Sequence, residues 1–343
     1  MNDNKNLILA VVLSALVLLG WSFLSEQFMP ANPPPKVENG KVQPSSQPQA
    51  QSTSQGAPVA AGPAKLRDRS AVLRETPRVR IQTPSLEGSI NLKGARIDDL
   101  WMLKHHVTYS EESSPVALLN PQGTPASSFV GFGWNGPNAP DANTVWTTNS
   151  SVLTPGKPVT LSWTSPTGAI YQLIVSIDDL YLFSVEQRVT NPTAQPIQVE
   201  PYSYSSRAGR SADMSQWTVH VGPMSVRDGK ADYEVDWSTI REAGANGLTY
   251  GPATGWIGFT DKYWLTALAP RSATRTSYHY SPTGAYQASA IAPASILAPG
   301  QSAAFRTSVF AGAKEKAALD RYDEAGITSL SKAIDWGWFE WFM

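Results

Sequence analysis

Four histidines, three adjacent carboxylate pairs and two glycine-rich stretches are the parts of this sequence whose residue types could carry chemistry. The histidines are His105, His106, His220 and His279. None has the spacing of HExxH or another helical metal-ligand pattern, and on a strand the neighbours His105 and His106 would point to opposite faces. Asp98–Asp99, Glu111–Glu112 and Asp178–Asp179 would act as acid and base only if their carboxyls flanked a substrate; as adjacent turn residues they read as solvated loop charge. The glycines of GFGWNG (131–136) and GWIG (255–258) belong to no P-loop, no GxSxG elbow and no GxGxxG run ahead of a helix, and read as β-turn glycines. Trp256, Tyr263 and Trp264 suit a sandwich core better than a sugar platform. Cysteine is absent, which removes thiolate nucleophiles, disulfides and cysteine-type zinc sites together. No catalytic residue, metal site or cofactor is expected, and the chain does not read as an enzyme.

What the chain could build around those residues depends on its composition. Its 343 residues, 41% apolar, are enough to bury a full core. A net charge of -1 offers no global basic field for phosphates, so nucleic acid is not an expected partner. Charged residues are only 16%, against 27 prolines and 25 glycines, a balance that suits a turn-rich β protein.

From residue 78 the pattern is that of strands and turns. Val159, Leu161 and Trp163 alternate with polar residues, as do Tyr171, Leu173, Val175 and Ile177, with the turn sequence SPTG (165–168) between them. Tyr181, Phe183 and Val185 continue the period until Asn191-Pro192 ends it. Breaks at Asp228-Gly229, Thr283-Gly284 and Pro299-Gly300 leave segments too short for ordinary helices. The expectation is a mainly β protein, a large antiparallel two-sheet sandwich over residues 78–312.

The ends differ from this body. Residues 7–24, LILAVVLSALVLLGWSFL, form an uncharged run close to the length that crosses a hydrocarbon core as a helix. The next residues, SEQFMPAN (25–32), lack a small-x-small cleavage site, so an uncleaved anchor is expected, with residues 1–6 cytoplasmic and Trp21 and Phe23 at the outer interface. Residues 25–77, rich in Pro, Gln and Ser, read as a disordered tether. Residues 313–326 mix helix formers and charges before a glycine and read as a short packed helix. In residues 327–343, Leu330, Ile334, Trp338, Trp341 and Phe342 share one helical face, with Trp336 and Phe339 outside it. Those aromatics fit a bilayer headgroup region or a cap over the sandwich, and the sequence leaves both open. A chain stopping on WFEWFM exposes an aggregation-prone end, so a longer parent protein is expected.

This order of features resembles the N-terminal half of the bacterial YidC membrane protein insertases of the Gram-negative type. The likeness rests on GSINLKGARIDDLWMLKH (88–105), PVALLNP (115–121), SIDDLYLFSVEQRVTN (176–191), GWIGFTDKYWLTALAP (255–270), VFAGAKEKAALDRY (309–322) and IDWGWFEWFM (334–343). It covers essentially the whole chain. It implies a galactose-mutarotase-like β-supersandwich in the periplasm, joined to the inner membrane by one N-terminal transmembrane helix and followed by short C-terminal helices. It also implies a role in inserting and folding nascent inner-membrane proteins, alone or with the Sec translocon. The family's inserting helices and their intramembrane arginine have no counterpart in this sequence, so the anchor and an accessory domain are what it would supply. The implied partners are the lipid bilayer, nascent inner-membrane proteins and accessory subunits of the Sec translocon. The implied contact is the helix near 314–325, with Lys314, Lys316, Leu319, Arg321 and Tyr322 as candidates. Two rival readings remain: a tethered periplasmic binding or scaffold domain, and a carbohydrate-binding or epimerase-like protein, which would need a histidine and a carboxylate converging in one cleft.

Overall fold

Strand formation is set by the alternation visible in the sequence. In a computed structural model that describes residues 57–58, 65–108, 110, 112–210 and 220–335, Tyr171, Leu173, Val175 and Ile177 point inward from the strand Ile170–Ile177 while their neighbours stay half exposed. Val159 and Leu161 do the same from Val159–Thr164, and Phe183, Val185 and Val189 from Leu182–Thr190. Between the first two, Ser165 and Gly168 close the expected turn, with Gly168 at φ +97° and its N–H donating to the Ser165 carbonyl at 2.9 Å. The same SPTG sequence recurs at 281–284 and makes the same turn, the Gly284 N–H donating to the Ser281 carbonyl at 3.0 Å. Ser165 and Ser281 each also accept the N–H of the alanine four residues on, so local side-chain chemistry fixes both registers.

Two sheets result. The nine-stranded sheet runs, in spatial order, Lys230–Asp232, Gly222–Arg227, Gly255–Thr260, Trp264–Pro270, Ser302–Ala313, Leu182–Thr190, Ile170–Ile177, Val159–Thr164 and Thr147–Thr148, all antiparallel. The eleven-stranded sheet has Ile197–Ala208 at its centre, flanked by Ala285–Ile291 on one side and Ser128–Asn135 on the other. Its pairings are antiparallel except that of Arg78–Gln82 with Val152–Leu153. The core between the sheets includes Trp134, Tyr171, Phe183, Trp256, Tyr278 and Phe310. These findings bear out a mainly β, antiparallel, two-sheet architecture.

Gly131, Gly133, Gly255 and Gly258 are strand glycines, which corrects their reading as turns, whereas Gly136 lies in the bend after its strand. Gly131 and Gly133 sit inside Ser128–Asn135, opposite Tyr204 and Tyr202. A Cβ on Gly131 would lie 2.5 Å from the Tyr204 ring, and one on Gly133 would overlap the Tyr202 hydroxyl. Glycine is present because two tyrosines of the next strand lie across the backbone there. Gly258, inside Gly255–Thr260, is needed for a different reason: a Cβ would overlap the Thr266 carbonyl oxygen.

Asp98 and Asp99 are also corrected, being buried on the strand Arg96–His106 rather than solvated in a turn. A bulge opposite Ser89 and Ile90 interrupts the alternation at this point, and both carboxyls are buried beneath Arg78 and Arg69. Asp98 accepts from Arg78 and from Asn91 Nδ2 (3.2 Å), and burial pushes its carboxyl above the usual range against the pull of Arg78. Asp99 accepts from Arg69 and from Ser89 Oγ (2.5 Å). Arg69 opens the helix Arg69–Leu73, capped by Asp68, and stacks over Trp101 at 4.4 Å. This corrects the tether's end: part of residues 65–77 is helical, because Arg69 serves as the counter-ion of a buried carboxylate.

Candidate docking site at the C-terminal helix

The expected helix is present as Lys316–Glu324, shorter at its start because the strand Ser302–Ala313 runs on to Ala313. It lies at the end of the nine-stranded sheet and buries Ala318, Leu319 and Tyr322. Leu319 and Tyr322 are 0% and 1% exposed, so neither is a surface contact. Their three-residue spacing beside Ala318 is the apolar stripe that should have marked them as core.

Tyr322 is fixed by both halves of its hydroxyl. It donates to Asp178 Oδ2 at 2.6 Å and accepts the Tyr181 backbone N–H at 3.1 Å, while its ring meets Phe310 edge-on at 5.8 Å. Burial and this bond to a carboxylate hold its phenol well above the ordinary range. Asp178 also accepts the N–H groups of Leu180 and Leu182, both at 3.0 Å. It is therefore the organising residue of its turn. At the other end of the helix, the Asp323 carboxylate accepts from the Leu330 and Ser331 backbone N–H groups and from Ser331 Oγ, folding the turn Leu330–Ala333 back onto the helix.

Lys314 faces inward too. Its ammonium donates to Thr260 Oγ1 at 2.9 Å and to the Ala333 carbonyl at 3.3 Å, and burial pulls its pKa down to about 8. It straps the Leu330–Ala333 turn to the sheet and is not a free docking cation.

Two of the five candidates are presented to solvent. Lys316 pairs with Asp320 one turn on, at 2.7 Å, and Arg321 pairs with Asp179 across the turn at 3.2 Å. Their side chains are 60% and 52% exposed. Exposed pairs of this kind contribute only about 0–1 kcal/mol to stability, so they can exchange partners at little cost. The outward face is thus a mixed-charge ridge, Lys316, Asp320, Arg321 and Asp179, on a helix whose inner face is locked.

The histidines are placed separately. His105 Nε2 lies 3.1 Å from Glu315 Oε1 and 3.2 Å from Tyr181 Oη, and its ring meets Trp264 at 5.2 Å. His106 turns away to the Ser113 carbonyl at 2.6 Å. His220 bonds the Pro223 carbonyl, and His279 is buried against the Ala245 carbonyl and Ser277. The His105–Glu315 contact fastens a strand end to the residue that begins the helix. Among the described residues no group of three His, Asp or Glu is placed to hold a metal ion. Trp256 is core, as expected, whereas Tyr263 is 53% exposed. Trp21, Phe23, Trp336, Trp338, Phe339, Trp341 and Phe342 lie outside the described residues, as do residues 7–24, most of the tether and Glu111. No described helix is long and apolar enough to cross a membrane.

The geometry defines a class first: a large antiparallel β-sandwich domain whose C-terminal helix is locked inward and charged outward. Residues 78–343 match the family described as the YidC periplasmic domain, and the chain belongs to that family. Among curated proteins it is 39% identical to the membrane protein insertase YidC of Zymomonas mobilis, over 98% of this chain and 58% of that protein. It is 36% identical to the one from Methylorubrum extorquens, over 100% and 60%. The chain therefore spans about three fifths of the length of these relatives. Among solved structures it resembles a galactose mutarotase related enzyme from Lactobacillus acidophilus, with a TM-score of 0.47 and 11% identity, covering 68% of this chain and 97% of that one. A putative aldose 1-epimerase from Escherichia coli gives 0.42 and 9%, covering 69% and 99%.

Proposed function

We propose that this chain is the anchor and periplasmic accessory part of a membrane protein insertase of the bacterial inner membrane. Residues 7–24 hold it in the bilayer as a single N-terminal span, with the bulk of the chain in the periplasm. Trp21 and Phe23 sit at the outer interface, and Trp336, Trp338, Phe339, Trp341 and Phe342 also meet the bilayer interface. Nascent inner-membrane proteins are the clients, and nucleic acid is not a partner. Accessory subunits of the Sec translocon dock on the ridge formed by Lys316 and Arg321.

The observation that carries this reading is the division of the helix Lys316–Glu324 between a locked face and an exchangeable one. Leu319 and Tyr322 fix its position, while Lys316 pairs with the exposed Asp320 and Arg321 with the exposed Asp179, Arg321 also lying 3.9 Å from Asp178. Such a ridge presents charge in fixed geometry without giving up much stability when a partner displaces Asp320 or Asp179. The test is Lys316→Glu with Arg321→Glu in membranes carrying the protein. Co-purification of Sec accessory subunits should fall several-fold while the domain's unfolding midpoint stays unchanged. Undiminished co-purification would mean that the ridge is not the docking surface.

A further inference from the structure

The outer face of the eleven-stranded sheet carries a second hydrophobic cluster, separate from the core: Ala57, Phe129, Tyr202, Tyr204 and Ile291. Its floor is a row of aromatic rings. Phe129 meets Tyr204 edge-on at 6.1 Å, and Tyr204 stands 6.1 Å from Tyr202. Val130, Phe132 and Trp134, which alternate with Phe129, Gly131 and Gly133, belong to the core cluster, so the row lies on the opposite side of the sheet. The glycines make the row flat, because Gly131 and Gly133 leave space for the Tyr204 and Tyr202 rings across the neighbouring strand. Two rings laid over glycine backbone build a shelf, which a core does not need on its solvent side.

The shelf has an occupant from far along the chain. Ala57 is 4% exposed against it, and the Pro58 carbonyl accepts a hydrogen bond from Gln287 Nε2 at 3.0 Å. Gln287 is fully buried and also donates to Ser289 Oγ at 3.1 Å, so its amide is held in place to receive a backbone carbonyl. The sequence of the occupant fits. Among the described residues a small side chain, Ala57, goes down onto the rings, and the proline after it biases Ala57 towards an extended conformation before it docks. Burial raises the phenol pKa of both Tyr202 and Tyr204, as expected of hydroxyls under a cover.

We propose that this aromatic shelf is a binding site for an extended small-residue–proline segment, and that its resident ligand is the chain's own Ala57–Pro58. Aromatic rows that take preformed extended proline segments, with a side-chain amide reading a carbonyl, are an economical mode of peptide recognition. This docking does not depend on the insertase reading.

The absence of cysteine makes the test direct. In the detergent-solubilised full chain, Ala57→Cys and Leu66→Cys are alkylated with a maleimide; Leu66, 60% exposed, is the reference for an open site. The thiol introduced at position 57 should react at least about tenfold more slowly than the one at position 66, as expected of a site that opens by local undocking. Tyr204→Ala, which removes part of the floor, should bring the two rates together. Gln287→Ala, a milder change, should accelerate reaction at position 57 several-fold without altering position 66, which keeps the test valid if the first variant does not fold. Equal rates in the two chains with shelf and amide intact would overturn the proposal, as would slow reaction persisting in both variants. Protection that grows with protein concentration would also overturn it, since the shelf would then hold a second copy's segment.

Discussion

Tyr322 donates its phenolic hydrogen to Asp178 across 144 positions of sequence, at 2.6 Å, and the same hydroxyl accepts the Tyr181 N–H. One oxygen thereby joins the C-terminal helix to the turn that precedes the strand Leu182–Thr190. Asp178 fixes that turn through the N–H groups of Leu180 and Leu182, so the helix is positioned by a network and not by apolar packing alone.

Removing that oxygen leaves the buried Tyr181 N–H without its acceptor and takes the phenolic donor from Asp178 Oδ2. Tyr322→Phe should therefore cost about 1–3 kcal/mol, whereas Arg321→Ala, on the exposed side, should stay within about 0.5 kcal/mol. Urea unfolding of both variants checks the contrast, and equal losses would mean that the hydroxyl does not hold the helix.

Lys314 supplies a pH dependence of known sign. Its folded pKa, about 8, lies below the ordinary value of 10.5 because burial disfavours the charge. Between those values the unfolded chain binds more protons, so stability attributable to Lys314 rises with pH from about 8 towards 10.5. Lys314→Met lacks this slope. Unfolding midpoints measured at neutral pH and near the ordinary lysine pKa should show the parent chain gaining on the variant as pH rises.

These residues also mark how much could be read in advance. Period-two strands such as Ile170–Ile177 were legible because one face of their sheet meets water and the other the core. Gly131 and Gly133 were not, because what requires glycine there is a pair of tyrosines on a strand distant in sequence. Asp98 and Asp99 do not lie where a turn would put them, since a bulge breaks the strand period there and Arg78 and Arg69, distant in sequence, bury both carboxyls. At the helix, Leu319 and Tyr322 came with a family resemblance that marks a segment as a contact without saying which of its faces is outward.

Strand glycines should divide by what faces them. Gly258→Ala puts a Cβ against the fixed Thr266 carbonyl and should cost about 1–3 kcal/mol or more. Gly251→Ala, on the edge strand Leu248–Ala253, meets nothing within 4 Å and should be within about 0.5 kcal/mol of the parent. Thermal unfolding of the two single variants decides it.

Asp236 caps the helix Trp237–Ala243 by accepting the Thr239 N–H at 2.7 Å, which with the Thr239 and Ser238 hydroxyls pulls its pKa down to about 2. A folded pKa below the ordinary value of 3.8 means this contribution is complete above that value and is lost as pH falls through about 2. Asp236→Ala should cost about 0.5–2 kcal/mol at neutral pH. Asp236→Asn should keep most of the cap while flattening the acid limb of a stability–pH curve measured across that window.

Docking of a translocon partner on the outward ridge of the C-terminal helix is tested most directly by site-specific photocrosslinking in native membranes. A photoreactive residue at Arg321 should give a discrete adduct with a Sec accessory subunit, while one at Ile296, 76% exposed on the eleven-stranded sheet, should not. Adducts at Ile296 with none at Arg321 would contradict this assignment and move the docking surface to the other sheet.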